Sequence, residues 1–329
     1  MTRPRLAEIG IPAFAAPTVR PEIAANRYPQ RIEQLRSRMT KRGLDVIVLW
    51  ADREHSAGIS FLTGFDPRFE EAILVVGADG DPAVLVGNEC FGLAGAAPLP
   101  MRRVLFQDLS LPSQPRDRSR PLVEILGDEG VRDGRRVGVV GWKTYADRST
   151  FEAPSFLVDT IRALVGTRGL VENASDLLID PADGLRIIND ADQLAMFEWA
   201  STQTSGGIRR VVEGIMPGMT EREAVRLLDW NGSPLSCHLM LSAGPRAKLG
   251  MLSPGDRAIE RGDPFTVAFG IWGALTCRAG FVVEDAGELP VGIRDYVDRL
   301  VGPYFAAVAE WYSAMRVGVR GGVLHEIVA

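Results

Sequence analysis

Cysteine and histidine are both scarce, with three of each in 329 residues. Cys90, Cys237 and Cys277 are too few and too scattered for a disulfide framework, so a reducing, cytoplasmic setting is expected. His55, His238 and His325 show no zinc-type spacing, and no CxxC occurs, which argues against a multi-histidine metal site. No apolar run approaches the roughly 20 residues that span a bilayer. The opening stretch MTRPRLAEIGIPAFAAPTV is broken by prolines and a glutamate, so no secretion signal is read there. A long basic run is also lacking. Lys and Arg total 37 against 42 Asp and Glu, for a net charge of −5. That balance argues against nucleic acid and anionic membrane as main partners. What remains is ordinary for a folded globular chain, with 46% apolar and 24% charged residues. At roughly 100–200 residues per domain, the length suggests two domains.

Residues 1–26 hold four prolines and no sustained period, and read as an irregular arm. Ile32, Leu35 and Met39 recur at helical spacing and Gly43 follows as a stop, which predicts a helix over 28–42. Strands are expected at 45–50, 72–76, 83–86, 104–107 and 136–141, with a hairpin turn at 78–81. Helices at 121–128 and 155–165 alternate with them, so an α/β layer domain ending near 185 is expected. The basic, proline-bounded stretch 112–121 reads as a solvated loop. A long helix follows from about 189. Leu194, Phe197, Ile208, Val211, Val212 and Ile215 form its predicted apolar stripe. Thr220 and Glu223 form a capping box, in which the hydroxyl accepts from a free N–H and the carboxylate reaches back. Strands are expected at 235–242, 264–270 and 274–283. A final helical region over 292–316 is expected to break at Pro303. The predicted divisions are 1–26, 27–186 and 187–329.

Four motifs now stand in order. Ile59-Ser60-Phe61-Leu62-Thr63-Gly64-Phe65 resembles the "YLTGF" element of the creatinase/aminopeptidase P family. Leu185-Arg186-Ile187-Ile188 resembles its "LR-x-I-K" element. Pro217-Gly218-Met219-Thr220-Glu221 resembles "PGMTE". Ser253-Pro254 with Asp256-Arg257, followed by Arg261-Gly262-Asp263-Pro264, resembles "SPSDR…KGDP". The resemblance implies an α/β fold: a creatinase-type N-terminal α/β domain followed by a partial pita-bread α+β catalytic domain, usually in a homodimer.

The departures from that pattern bear on chemistry. The peptidase branch carries a histidine just before "SPSDR", where this chain has Gly250, Met251 and Leu252. Its first metal-binding aspartate lies in a "DFG"-like triplet, matched here by Ala268-Phe269-Gly270. Its second aspartate is matched by Ala279. Two adjacent divalent cations need bridging carboxylates to offset their repulsion, and methyl groups supply none. No metal and no other cofactor is therefore expected. Creatinase, in the same family, is metal-free, hydrolyses a C–N bond of a small guanidino compound, and also has alanine at the place of Ala279. Its acid–base histidine lies near the place of Met251. The family's later histidine strand and two glutamates belong beyond 292–316, so a truncated or fragmentary chain with an exposed apolar patch on 264–283 is expected.

His238 is the best acid–base candidate, since imidazole titrates near neutrality. Arg278 and Arg246 are candidate anchors for a substrate carboxylate, and Trp272 is a candidate for the pocket floor. Cys277 reads as a small packed thiol, and His55 as part of a surface loop. The reading is a metal-independent hydrolase acting on a C–N bond of a small polar compound or short peptide. A non-catalytic homologue used in binding or dimerisation is the alternative, and a metal-dependent Xaa-Pro aminopeptidase the third.

Overall fold

The computed structural model describes Ala7, Gly10 and residues 16–250 and 252–329; the other residues of the expected arm and Met251 lie outside the described residues. The chain forms two compact units. One is Glu22–Gln193; the other joins Met1–Pro21 to Leu194–Ala329.

The first unit opens with α1 (Arg27–Arg42), which buries Tyr28, Ile32, Leu35 and Met39 on one face. Gly43 ends it in the left-handed region at φ 68°, donating to Met39 and Thr40 carbonyls. There follow β1 (Val46–Ala51), α2 (Ala57–Thr63), β2 (Ala72–Gly77), β3 (Ala83–Val86), α3 (Cys90–Leu93), β4 (Arg102–Leu105), α4 (Leu122–Asp128), β5 (Arg136–Val140), α5 (Ser155–Val165), β6 (Leu170–Asn173) and α6 (Asp176–Ile179). The six strands form one sheet, ordered β4-β3-β2-β1-β5-β6. The unbroken apolar runs of β1 to β3 follow from burial on both faces. Ile47, Leu49 and Ala51 enter one core with Leu74 and Val84. Val46, Val48 and Trp50 enter the other with Ile73 and Leu85. Each Val, Leu or Ile side chain among these contributes about 1.5–3 kcal/mol on burial.

The segment Ile59–Phe65, matched above to a family motif, lies mostly in α2, a helix the sequence reading had not marked. Ser60 Oγ donates to Phe65 O at 2.8 Å, and Thr63 Oγ1 accepts from Phe65 N at 3.0 Å, so the motif's hydroxyls turn the chain.

In the second unit come α7 (Ala191–Gly214), α8 (Glu221–Arg226), β7 (Met240–Ala243), β8 (Pro264–Ile271), β9 (Ala274–Phe281), α9 (Gly302–Ala314) and α10 (Gly321–Val328). The predicted stripe of α7 needs correction. Leu194, Phe197 and Val212 are exposed, while Trp199, Ala200, Thr204, Ile208 and Val211 are buried. The antiparallel sheet runs β7-β8-β9. Its β8 residues Phe265, Val267, Phe269 and Ile271 pack on Trp199, Ile208 and Ala224. A Thr204–Thr276 hydroxyl pair at 2.8 Å joins α7 to β9. Pro303 does not break the helical run: a π-helical turn at Val297–Val301 leads directly into α9, and Val301 and Gly302 ahead of the proline keep helical dihedrals. Among the described residues no helix is long and apolar enough to cross a membrane.

Candidate functional site

Strand register decides which residues share a face. Ala268 lies opposite Met240 on β7 and Cys277 on β9. Thr266 lies opposite Ser242 and Ala279. Directly opposed residues point the same way. Met240, Ser242, Thr266, Ala268, Cys277 and Ala279 therefore form one face, turned away from the helix-packed core. Ser242 and Thr266 hydroxyls meet at 3.1 Å.

This is the face on which the family resemblance places two aspartates, at Ala268 and Ala279. The side chains present there are methyls, hydroxyls, a thiol and a thioether. Such donors do not fit a pair of hard divalent cations. Among the described residues no group of three or more His, Cys, Asp and Glu is placed to hold a metal ion.

The candidates from the sequence are dispersed. His238 and Cys237 were expected on a strand over 235–242, but β7 begins only at Met240. Extending the Met240–Ala268 register would put Cys237 opposite Ile271; Leu235 pairs there instead. Two residues are thus looped out, and His238 rides exposed on that loop. Gly270 permits it: a Cβ there would lie 2.3 Å from Ser236 Oγ and 3.1 Å from Cys237 Sγ. Arg278 belongs to the opposite parity of β9 from Ala279 and donates to Cys277 O at 2.7 Å. Neither Glu284 nor Asp285 takes it; Glu284 pairs with Arg261 at 2.9 Å. Trp272 occupies the β8–β9 turn, its backbone N–H donating to Pro234 O at 3.0 Å. His325 lies on α10.

Arg246 is held by a carboxylate that the sequence reading passed over. Glu221 is fully buried. Its Oε1 accepts from Ala243 N at 2.9 Å and its Oε2 from Gly255 N at 2.7 Å. Arg246 Nη1 also bonds Oε2, while its Nη2 donates to Ser253 O at 3.0 Å. Nearby, Arg257 forks onto Asp263 at 2.5 and 3.1 Å. The sequence signals for Glu221 were its place in the "PGMTE"-like segment and its position after a cap residue, where an acid is ordinarily exposed; neither indicates its burial. The Thr220–Glu223 capping box is present as predicted. Hydrogen bonds from the Thr220 N–H and hydroxyl hold the Glu223 carboxyl below its ordinary range. The resembling motifs thus supply scaffold: they tie the entry of α8 to the loops before β8.

No protein-family model and no curated protein matches the chain. Solved structures do. The prolidase from Pyrococcus horikoshii OT3 superposes with a TM-score of 0.66 at 14% identity, over 91% of this chain and 76% of that one. The fold is that of the prolidases and Xaa-Pro aminopeptidases. The X-Pro aminopeptidase from Thermotoga maritima MSB8 gives 0.65 at 16% identity, over 90% and 75%. Pseudomonas aeruginosa aminopeptidase PepP gives 0.61 at 15%, over 93% and 71%. The creatinase-type and pita-bread architecture expected from the motifs is therefore the architecture found.

Proposed function

We propose that this chain is a hydrolase of the prolidase and aminopeptidase P type that acts on a C–N bond of a small polar compound or short peptide without a paired-metal centre. The observation that carries the reading is the fold shared with prolidases and Xaa-Pro aminopeptidases. The substrate would lie on the Ser242–Thr266–Ala268 face. His238, on the loop beside Gly270, is the acid–base group of this reading, and water the nucleophile. Trp272 would bound the face at the hairpin end. Arg246 and Arg278 would anchor an anionic substrate only by leaving Glu221 and the Cys277 carbonyl. The reading also carries a cytoplasmic homodimer, testable by light scattering.

The test is turnover of Xaa-Pro dipeptides and of creatine by the purified chain, with and without a chelator. Chelator-insensitive turnover lost in His238→Ala supports the proposal. Turnover that needs an added divalent cation overturns its metal-free part. A second reading is favoured by the methyl groups of Ala268 and Ala279: a homologue that binds such compounds without cleaving them. Ligand-dependent melting shifts with no turnover would establish that instead.

A further inference from the structure

The chain leaves β1 toward β2 on one side of the sheet and leaves β5 toward β6 on the other. Strands β1 and β5 are parallel neighbours, so their carboxyl ends share one edge. The connection after β1 carries α2 against one core and the connection after β5 carries α5 against the other, so the two ends open between helices on opposite faces, where open α/β sheets take ligands. Here that place is furnished by the Asp52–His55 segment after β1 and Trp142-Lys143 after β5.

His55 is fixed there. Its Nδ1 lies 2.9 Å from Asp52 Oδ1, and its ring stacks on Trp142 with centroids 3.6 Å apart and planes 15° from parallel. Its side chain is 33% exposed. Among the described residues Nε2 has no partner. Burial alone would raise the Asp52 carboxyl, but bonds from the His55 ring and backbone hold it below its ordinary range. An ionised Asp52 keeps the proton on Nδ1 and turns Nε2 outward.

The acids here are engaged by the protein itself. Asp52 accepts from the N–H groups of Glu54 and His55 at 2.9 and 2.8 Å. Glu152 accepts from those of Trp142 and Lys143 at 2.8 and 2.5 Å, and from Asn173 Nδ2 at 3.2 Å. The side chains of Arg53 and Lys143 are exposed and form no ion pair among the described residues. The cationic or protonatable groups of the two segments are His55, Arg53 and Lys143; the exposed acids within and just after them are Glu54 and Asp147, the latter bonded to Ser149.

We propose that this shelf binds a small oxyanion, a carboxylate or phosphate group, with His55 Nε2–H as its hydrogen-bond donor and Lys143 as its countercharge. The site does not depend on the reading of the C-terminal sheet. With Nδ1–H held by Asp52, Nε2 donates to the anion from the imidazolium form of the ring.

With three histidines in the chain, the His55 ring signal can be assigned by NMR through His55→Gln. Inorganic phosphate and, separately, citrate are titrated at constant ionic strength set by chloride. A saturable shift of His55, with His238 and His325 still, is expected. Affinity should drop roughly tenfold in Lys143→Gln, which keeps every backbone contact. Whichever anion saturates first assigns the source. A static His55, equal movement of all three rings, or unaltered affinity in Lys143→Gln overturns the proposal.

Discussion

In the N-terminal sheet, β1 to β3 send alternate side chains into two cores, and every residue of β1 is buried. In the C-terminal sheet, β8 sends one set into a core while Cys277 and Ala279 on neighbouring β9 stand exposed on the other face. The first arrangement spends both faces on stability, so polar groups collect at strand ends, as at His55. The second leaves its outer face open at Cys277 and Ala279 on β9, while Ser242 and Ala268 on the same face are buried. Holding the scaffold and furnishing the face are separable: Glu221, Arg257 and Asp263 tie the loops through contacts that do not involve Ala268.

That separation can be broken most directly at Glu221. Glu221→Ala leaves the Ala243 and Gly255 amides without their acceptor and the partly exposed Arg246 guanidinium without its partner, and should cost about 1–3 kcal/mol for each stranded amide. Hydrogen exchange should show the loss in the C-terminal unit while β1 stays protected. In the N-terminal unit, Leu35→Ala leaves a cavity and should cost about 2–5 kcal/mol, read from the denaturant midpoint. Thr220→Ala removes one cap and should cost about 1 kcal/mol. Acid gives a smaller effect. Asp52 and Asp190 have depressed carboxyls in the folded state, Asp190 through Gln193 and Arg31 against the effect of burial. Their stabilisation is present above the ordinary aspartate value near about 4 and is lost as pH falls through the depressed ones. The midpoint difference between about pH 6 and pH 3 should narrow in Asp190→Asn. Last, burial pushes the Cys90 thiol up to about 12, with Glu70 adding to it. A thiol reagent at neutral pH should modify exposed Cys277 at once and Cys90 only when the N-terminal unit opens.

Much of the fold was legible where burial is two-sided, because β1, β2 and β3 are continuous apolar runs. The stripe of α7 was misread for a physical reason. A Cβ at Gly207 would lie 2.8 Å from Phe269 Cδ1, so the helix seats on the sheet through Gly207, Ala200 and Thr204, which hydrophobicity does not count. The strand expected at 235–242 is found only from Met240, with a bridge at Leu235, because two looped-out residues interrupt its pairing, and nothing in Ser236–Leu239 announces them. At the candidate site, the two alanines were readable by position. The partnerships of Arg246 and Arg278 were not, because each is settled by a contact that only the folded chain makes.

Strand β9 lies at the edge of its sheet. An edge strand offers backbone groups to any passing strand, and a charged side chain discourages that docking. Arg278, lying against its own strand, is placed for that duty. Its worth would then appear in colloidal behaviour: a concentrated solution of Arg278→Thr should turn turbid on storage while wild type stays clear.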